Sequence, residues 1–277
     1  MLTVKQALDQ GTKLLDEGSV GAPRLTAEVL LCHALRREKS FLYAHGDEEL
    51  PELAWIHYGR YLHERLKGKP TQYITRVQEF YGRPFFVSPA VLIPRPETEH
   101  AVEVALERAR LARRAIDIGC GSGAIGVTWS LETDCATVAS DISVDALDVA
   151  RRNARDLGAR ADFVCCDLGA ALAPRSFDLV LSNPPYIPDP EGPHLQREVR
   201  DHEPPVALFG GPTGVEIYER LVRDAARILR PAGWLVMEIG YQAQERVLAL
   251  LEGEWRDHRV TQDLAGWPRV ISAQYWP

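Results

Sequence analysis

Long apolar runs are missing from this chain. No stretch approaches the ~20 residues that a bilayer span requires, so no membrane association is expected. Cysteine occurs five times, at Cys32, Cys120, Cys135, Cys165 and Cys166, an odd number with no C-x-x-C pair. That usage argues against both a disulfide framework and a zinc site, and it fits a reducing, cytoplasmic setting. The eight histidines are scattered without ligand spacing, so no metal is expected. Positive charge is outnumbered by negative. The formal net charge is −7, with 32 Lys and Arg against 39 Asp and Glu, and this speaks against a wide nucleic-acid footprint. The start of the chain reads as a helix and lacks the apolar core of a signal peptide. Internal repeats and low-complexity tracts are absent as well.

What is present is an ordinary globular composition, 45% hydrophobic and 26% charged over 277 residues, enough for one large domain or two smaller ones. Residues 1–68 read as a small helical bundle. Val4, Ala7, Leu8, Gly11, Leu14 and Leu15 recur at helical spacing, Leu25, Val29 and Cys32 continue it, and Trp55, Tyr58, Leu62 and Leu66 mark a further helix. That aromatic stripe is read as core. Lys67-Gly68-Lys69-Pro70 breaks the pattern and marks a boundary. Residues 69–93 form a linker whose aromatic runs Gln78–Tyr81 and Pro84–Val87 flank Gly82-Arg83 as a hairpin. Residues 94–277 open with a rigid turn, Pro94-Arg95-Pro96-Glu97-Thr98-Glu99, whose acids suit the positive end of the following helix or a site.

From Arg114 onward strands and helices alternate, the signature of a mainly parallel, doubly wound α/β sheet. Strands are expected at 115–118, 137–141, 161–165, 177–182, 234–238 and 270–274, and helices at 124–130, 143–157, 217–228 and 244–251. Residues 183–214 carry no periodic pattern, and a loop of that length in a compact domain points to function.

Gly119-Cys120-Gly121-Ser122-Gly123 follows the first strand, where alternating glycines let backbone N–H groups approach a nucleotide-like ligand. The spacing Gly121-x-Gly123-x-x-Gly126 equally satisfies a dinucleotide fingerprint. Asp141, with Ile142 beside it, ends the second strand where a carboxylate can accept from both hydroxyls of a ribose. Ser143 is free to cap the next helix. Asp167 and Leu168 stand past the third strand, as an acceptor for an adenine amino group and an apolar surface for its ring. Asn183-Pro184-Pro185-Tyr186 then breaks the fourth strand. The Asn183 side-chain oxygen and the Pro184 carbonyl can each accept one N–H of a planar NH2 group, and Tyr186 can pack on its flat face. Catalysis and substrate binding are therefore assigned to Asn183, Pro184 and Tyr186, with Pro185 in the substrate site. Hydride transfer has no evident need of this turn, whereas methyl transfer to an NH2 group does.

Those motifs, with Glu203-Pro204, Ala207-Leu208, Gly210-Gly211 ahead of Gly214, and Asp263-Leu264-Ala265-Gly266, resemble the peptide chain release factor glutamine methyltransferase family over nearly the whole chain. The resemblance implies a seven-stranded Rossmann-like methyltransferase sheet behind a helical substrate-docking domain. It implies S-adenosylmethionine as donor, S-adenosylhomocysteine as product, and N5-methylation of the glutamine in the Gly-Gly-Gln motif of class 1 release factors. It places the donor on Gly119 to Gly123, Asp141, Ile142, Asp167, Leu168 and Asn183. Cys120 stands where the family often has Thr, and Leu168 where an aromatic is common. Asn-Pro-Pro-Tyr alone is shared with DNA and RNA amino-group methyltransferases. A ribosomal-protein glutamine methyltransferase is a close variant, and a nicotinamide-dependent oxidoreductase and a non-enzymatic cofactor-binding module are the readings from other classes.

Overall fold

The computed structural model describes residues 2–277. Contacts divide them into two units, one comprising the described residues up to 77 together with 196–202 and the other 78–195 and 203–277. The smaller unit is helical: α1 (Val4–Glu17), α2 (Pro23–Leu35), α3 (Lys39–Ala44), α4 (Glu52–Leu66), α5 (Thr71–Thr75) and a short helix at Arg197–His202. Thr3 and Gln6 form a reciprocal capping box that starts α1. Val4, Ala7, Leu8 and Leu15 pack there with Tyr58 and Leu62 of α4, so the aromatic stripe is core as expected for Tyr58, while Trp55 is largely exposed.

The expected inward face of α2 is corrected. Leu25 and Val29 are exposed, as is Leu14 of α1, and Ala27, Leu30 and Leu31 fill the core instead. Leucines on both sides of α2 leave its spacing compatible with either face. The unit also runs past residue 68, because Ile74 of α5 joins the same core.

The larger unit opens with a hairpin of β1 (Val77–Phe80) and β2 (Arg83–Phe86). Tyr81 and Gly82 both have positive φ (52° and 69°), the pairing a tight two-residue turn demands. Then follow α6 (Glu99–Ala109), β3 (Arg114–Ile118), α7 (Ala124–Glu132), β4 (Ala136–Asp141), α8 (Val144–Leu157), β5 (Ala161–Cys165) and β6 (Phe177–Ser182). Beyond them come β7 (Ile187–Pro188), α9 (the Arg197–His202 helix), β8 (Phe209–Gly211), α10 (Glu216–Ile228), β9 (Leu229–Glu238), α11 (Gln244–Ala249), β10 (Trp255–Gln262) and β11 (Pro268–Tyr275). The central sheet has seven strands in the order β10-β11-β9-β6-β3-β4-β5. It is parallel except for β11, which runs against both β9 and β10.

Side chains alternate across this sheet with period two. Ile116, Ile118, Val180, Leu235 and Met237 go to one layer with Tyr218, Leu221 and Ile228 of α10. Ala115, Leu179, Leu181 and Val236 go to the other with Val102, Ala105, Val127 and Trp129 of α6 and α7. Burial on both faces explains why these strands read as continuous apolar runs.

The 183–214 stretch, read from sequence as patternless, contains β7 paired with β8, turns of 3-10 helix and α9. In the smaller unit, Glu198 of α9 bonds Arg65 at 2.6 Å and Arg197 donates to the Lys67 carbonyl. Among the described residues no helix is long and apolar enough to cross a membrane.

Candidate active site

The strand order reverses at β3, whose neighbours β4 and β6 lead to opposite sides, and open α/β sheets bind ligands at that crevice. A cavity of about 280 Å³ lies there, lined from β3 by Gly119 to Ser122, from β4 by Asp141 and Ile142, and from β6 by Asn183 and Pro185.

The loop after β3 is held by its neighbours. Gly119 N and Cys120 N donate to the Ser140 carbonyl at 2.8 and 2.9 Å. Gly121 N donates to Asp141 Oδ2 at 2.9 Å, and Ser143 N to Oδ1 at 2.9 Å. Gly119 and Gly121 have φ of 72° and 52°, conformations that side-chain-bearing residues rarely adopt. Gly123, also in the expected set, does not line the cavity. A Cβ there would come within 3.2 Å of the Ala150 Cβ, so its place is in helix packing.

Asp141 keeps lone pairs to spare, since each carboxylate oxygen accepts one backbone bond. Ser143 caps α8 by accepting from Ala146 N at 3.2 Å, which frees Asp141 from that duty. The Cys120 side chain clusters with Ala139, Leu147 and Ala150, and burial pushes its thiol well above the ordinary range. It is therefore a neutral packing group there, and the backbone does the lining. Behind the loop, Asp117 is fully buried and accepts from Gly126 N at 2.8 Å, and burial pushes its carboxyl up to about 7. A Cβ on Gly126 would fall 2.8 Å from the Asp117 Cβ.

Asp167 and Leu168 also line the cavity, along with Cys166. Asp167 is paired with Arg220 of α10 at 2.6 Å, both groups about half exposed. Sequence reasoning missed Arg220, which sits on a helix far along the chain and has no local signal.

At the other end, Asn183 is half-buried and Pro184 is buried. Asn183 Nδ2 donates to Thr98 Oγ1 at 3.3 Å. Within Pro94–Glu99 it is Pro94 and Thr98, not the flanking acids, that line the cavity. Glu99 accepts from Tyr81 N at 2.7 Å and so anchors the hairpin turn. Glu203 secures the same segment from the far loop, accepting from Ile93 N at 3.2 Å and pairing with Arg95 at 2.5 Å while itself almost fully buried.

Tyr186 was expected on the flat face of the substrate. Its ring lies against Gly240 and its hydroxyl donates to Glu238 Oε1 at 3.4 Å, and neither it nor Pro184 lines the cavity. Burial raises its phenol well above the usual value.

Three glycines wall in this turn. A Cβ at Gly210 would sit 2.7 Å from the Pro185 carbonyl oxygen, one at Gly214 2.4 Å from that of Tyr186, and one at Gly240 3.0 Å from the Tyr186 ring. The Gly210–Gly214 motif therefore permits close backbone approach. Gly210→Ala is expected to displace the turn, lowering turnover by at least about tenfold and stability by about 1–3 kcal/mol. Steady-state kinetics and urea denaturation check both, and unchanged values would remove the glycines from the argument.

Two sequence-family profiles match the chain, the PrmC N-terminal domain over residues 6–75 and the methyltransferase small domain over residues 100–194. Among solved structures, a methyltransferase from Pyrococcus furiosus superposes with TM-score 0.55 at 16% identity, covering 71% of this chain and 91% of that one. The hMettl16 catalytic domain gives TM-score 0.54 at 16% identity, with 74% and 80% covered. These likenesses establish the Rossmann-like methyltransferase fold. Relatives named release factor glutamine methyltransferase are far closer in sequence. That of Koribacter versatilis is 43% identical over 274 residues, covering 98% of each chain. That of Moorella thermoacetica is 42% identical over 279 residues with the same coverage, and that of Bacillus cereus 35% over 286 residues, 99% of each. Identity at that level, sustained from the helical unit to the last strand, means that the chain belongs to the release factor glutamine methyltransferase family.

Proposed function

We propose that this chain transfers a methyl group from S-adenosylmethionine to the side-chain amide nitrogen of the glutamine in the Gly-Gly-Gln motif of class 1 release factors, acting in the cytoplasm. The observation that carries the reading is one cavity with two chemistries. A glycine-lined backbone cradle and Asp141 occupy one end, and the Asn183 turn the other. The residues present fit the donor. Apart from the glycine's own atoms and its chain neighbours, no heavy atom lies within 4 Å of where a Cβ on Gly119 or Gly121 would be, so the cradle is open to close approach by a ligand. Asp141 has acceptors left for ribose hydroxyls, and Ile142 and Leu168 offer apolar surface to a base. Asp167 would have to exchange its Arg220 partner for an adenine amino group, a small cost for a half-exposed pair.

The donor supplies an electrophilic methyl carried on a sulfonium. The chain's own residues prepare the nucleophile. An amide nitrogen is poor because its lone pair is conjugated with the carbonyl. Two acceptors would take its two N–H bonds, polarise them and fix the plane so that the lone pair faces the methyl: Asn183 Oδ1 at the cavity wall, and the Pro184 carbonyl, which lies outside that lining and would have to be reached from the turn beside it. Loss of the proton follows transfer; the Glu238 carboxylate meets the turn at the Tyr186 hydroxyl, while Asn183 bonds Thr98. The helical unit, read from sequence as residues 1–68, is assigned to docking the protein substrate. Its α4 leaves Leu53, Trp55 and Ile56 exposed.

Incubation of purified release factor with enzyme and labelled donor is expected to place one methyl group on the Gly-Gly-Gln peptide, read by mass spectrometry. Label on a ribosomal protein or on DNA instead would sink this reading in favour of those substrates. Calorimetric titration separates the oxidoreductase reading, since S-adenosylmethionine should bind and NAD should not.

A further inference from the structure

Behind Asn183 runs a set of buried polar side chains to which the mechanism above gives no work. Thr98, which accepts from Asn183 Nδ2 at 3.3 Å, is 3% exposed. Its hydroxyl lies beside the carboxylate of Glu238, which is 1% exposed at the end of β9, and favours the ionised form of that acid. It stops short of ordinary hydrogen-bond geometry, and Glu238 Oε2 has no partner. The cation for this buried acid is Arg269 of β11, which is held through Nη2 and Nε by Asp263 Oδ2 at 3.0 and 3.3 Å. Asp263 in turn accepts from Ala265 N and Trp267 N through Oδ1. The Asp263–Gly266 motif is thereby explained as the loop that fixes Arg269.

We propose that Thr98, oriented by the ionised Glu238, is the positioning residue that decides which way the Asn183 amide faces. This rests on the glutamine-amide reading of Asn183. A threonine hydroxyl has one hydrogen and two lone pairs. The field of a neighbouring carboxylate favours the orientation with the hydrogen on its side, without a formed hydrogen bond, and a lone pair remains for Asn183 Nδ2. The amide then offers Oδ1, an acceptor, to a target N–H. Beside a protonated Glu238 the hydroxyl hydrogen is free to turn to Asn183. The amide gains by reversing, and Nδ2 would then meet the target NH2 donor to donor.

Glu238 is faced from the turn before α6 by Thr98, which favours the anion, and by Glu97, which opposes it, while from β11 Arg269 favours it. From the segment after β6 comes the Tyr186 hydroxyl. From α10, Tyr218 donates to the Glu238 backbone carbonyl at 3.3 Å rather than to its carboxylate. Burial dominates and pushes the Glu238 carboxyl up to about 7. Its charge, and with it the productive amide, is lost as pH falls through that value.

The test measures kcat and KM against pH with release factor and labelled donor. Wild type is expected to lose about tenfold in kcat from about pH 8 to about pH 6, as one group near 7 dictates. Thr98→Val should lower kcat by about 30-fold or more with donor KM within about twofold, and Thr98→Ser should recover most of it. Glu238→Gln, a mimic of the protonated acid, should be slow and flat with pH. A kcat for Thr98→Val within about twofold of wild type, or an acid limb that survives Glu238→Gln, overturns the proposal. NMR provides a readout independent of turnover. The Asn183 side-chain amide signals, identified by their loss in Asn183→Ala, should titrate over the same range in wild type and not in Glu238→Gln. If that titration is present but no release factor is methylated, the substrate reading fails and the relay stands. If it is absent, the relay fails.

Discussion

Asn183→Ala should lower kcat for methyl transfer by about 10³-fold while donor affinity stays within about tenfold. The asymmetry follows from where the side chain acts. Removing one preorganised partner of a reacting group costs about 10²–10³ in rate, and the alanine also loses the fixed plane of the target amide. For the donor, Asn183 is at most one hydrogen bond among several, worth ~0.5–1.5 kcal/mol. The fold should survive, because Asn183 is half-buried and its one side-chain partner is Thr98 Oγ1. Single-turnover kinetics with calorimetric donor titration check both halves. A donor affinity that drops as far as the rate would show Asn183 to be a donor-binding residue instead.

Asp141→Ala should have the reverse signature, raising the donor dissociation constant by about 10²-fold or more. Two hydrogen bonds from ribose hydroxyls to a carboxylate are worth ~1.5–3 kcal/mol each, and the same carboxylate anchors Gly121 N and Ser143 N. Alanine therefore removes a ligand group and unties the loop that cradles the donor. Asp141→Asn separates the two effects: it keeps one acceptor oxygen, places a donor at the other, and removes the charge. It should fall between wild type and alanine. Saturating donor should restore much of the turnover of either variant, and a kcat that stays depressed at saturation would argue against this division.

The strands that pack on both faces were the most legible in sequence. β6 runs over the expected residues, Phe177–Ser182, and β5 does so too, Ala161–Cys165, although it lies at the other edge and is only partly buried. β10 was not legible. Trp255–Gln262 is mostly charged and polar, lies at the sheet edge, and bends at Asp257, whose φ is 52°. Edge strands need polarity to avoid pairing with other chains, and that polarity erases the hydrophobic signal. The start of β9 was hidden for a related reason. Leu229 pairs with Phe177, but the register then shifts and Ala232 takes a φ of 66°.

In the site, the glycine loop, Asp141 and the Asn183 turn could be read because each motif is contiguous and follows a strand. Thr98, Arg220, Glu238 and Arg269 could not. They meet the motifs through tertiary contacts across long separations, and each is an ordinary residue in its own local context. Glu97 and Glu99 carry the negative charge in their segment, while Thr98 between them reaches the cavity.

The assignment of Gln196–His202 to the helical unit bears on how this chain could be cut or recombined. Both flanks of that segment, from Tyr186 and from Phe209, belong to the catalytic unit. A single truncation after Val77 would strip Arg197 and Glu198 of Lys67 and Arg65 and leave a foreign stub in the middle of what remained. The helical unit is thus not a cassette that one junction can exchange. A grafted helical unit would need a matching replacement at residues 196–202, and homologous chimaeras joined only near residue 77 should express poorly unless both parents share that seven-residue insert.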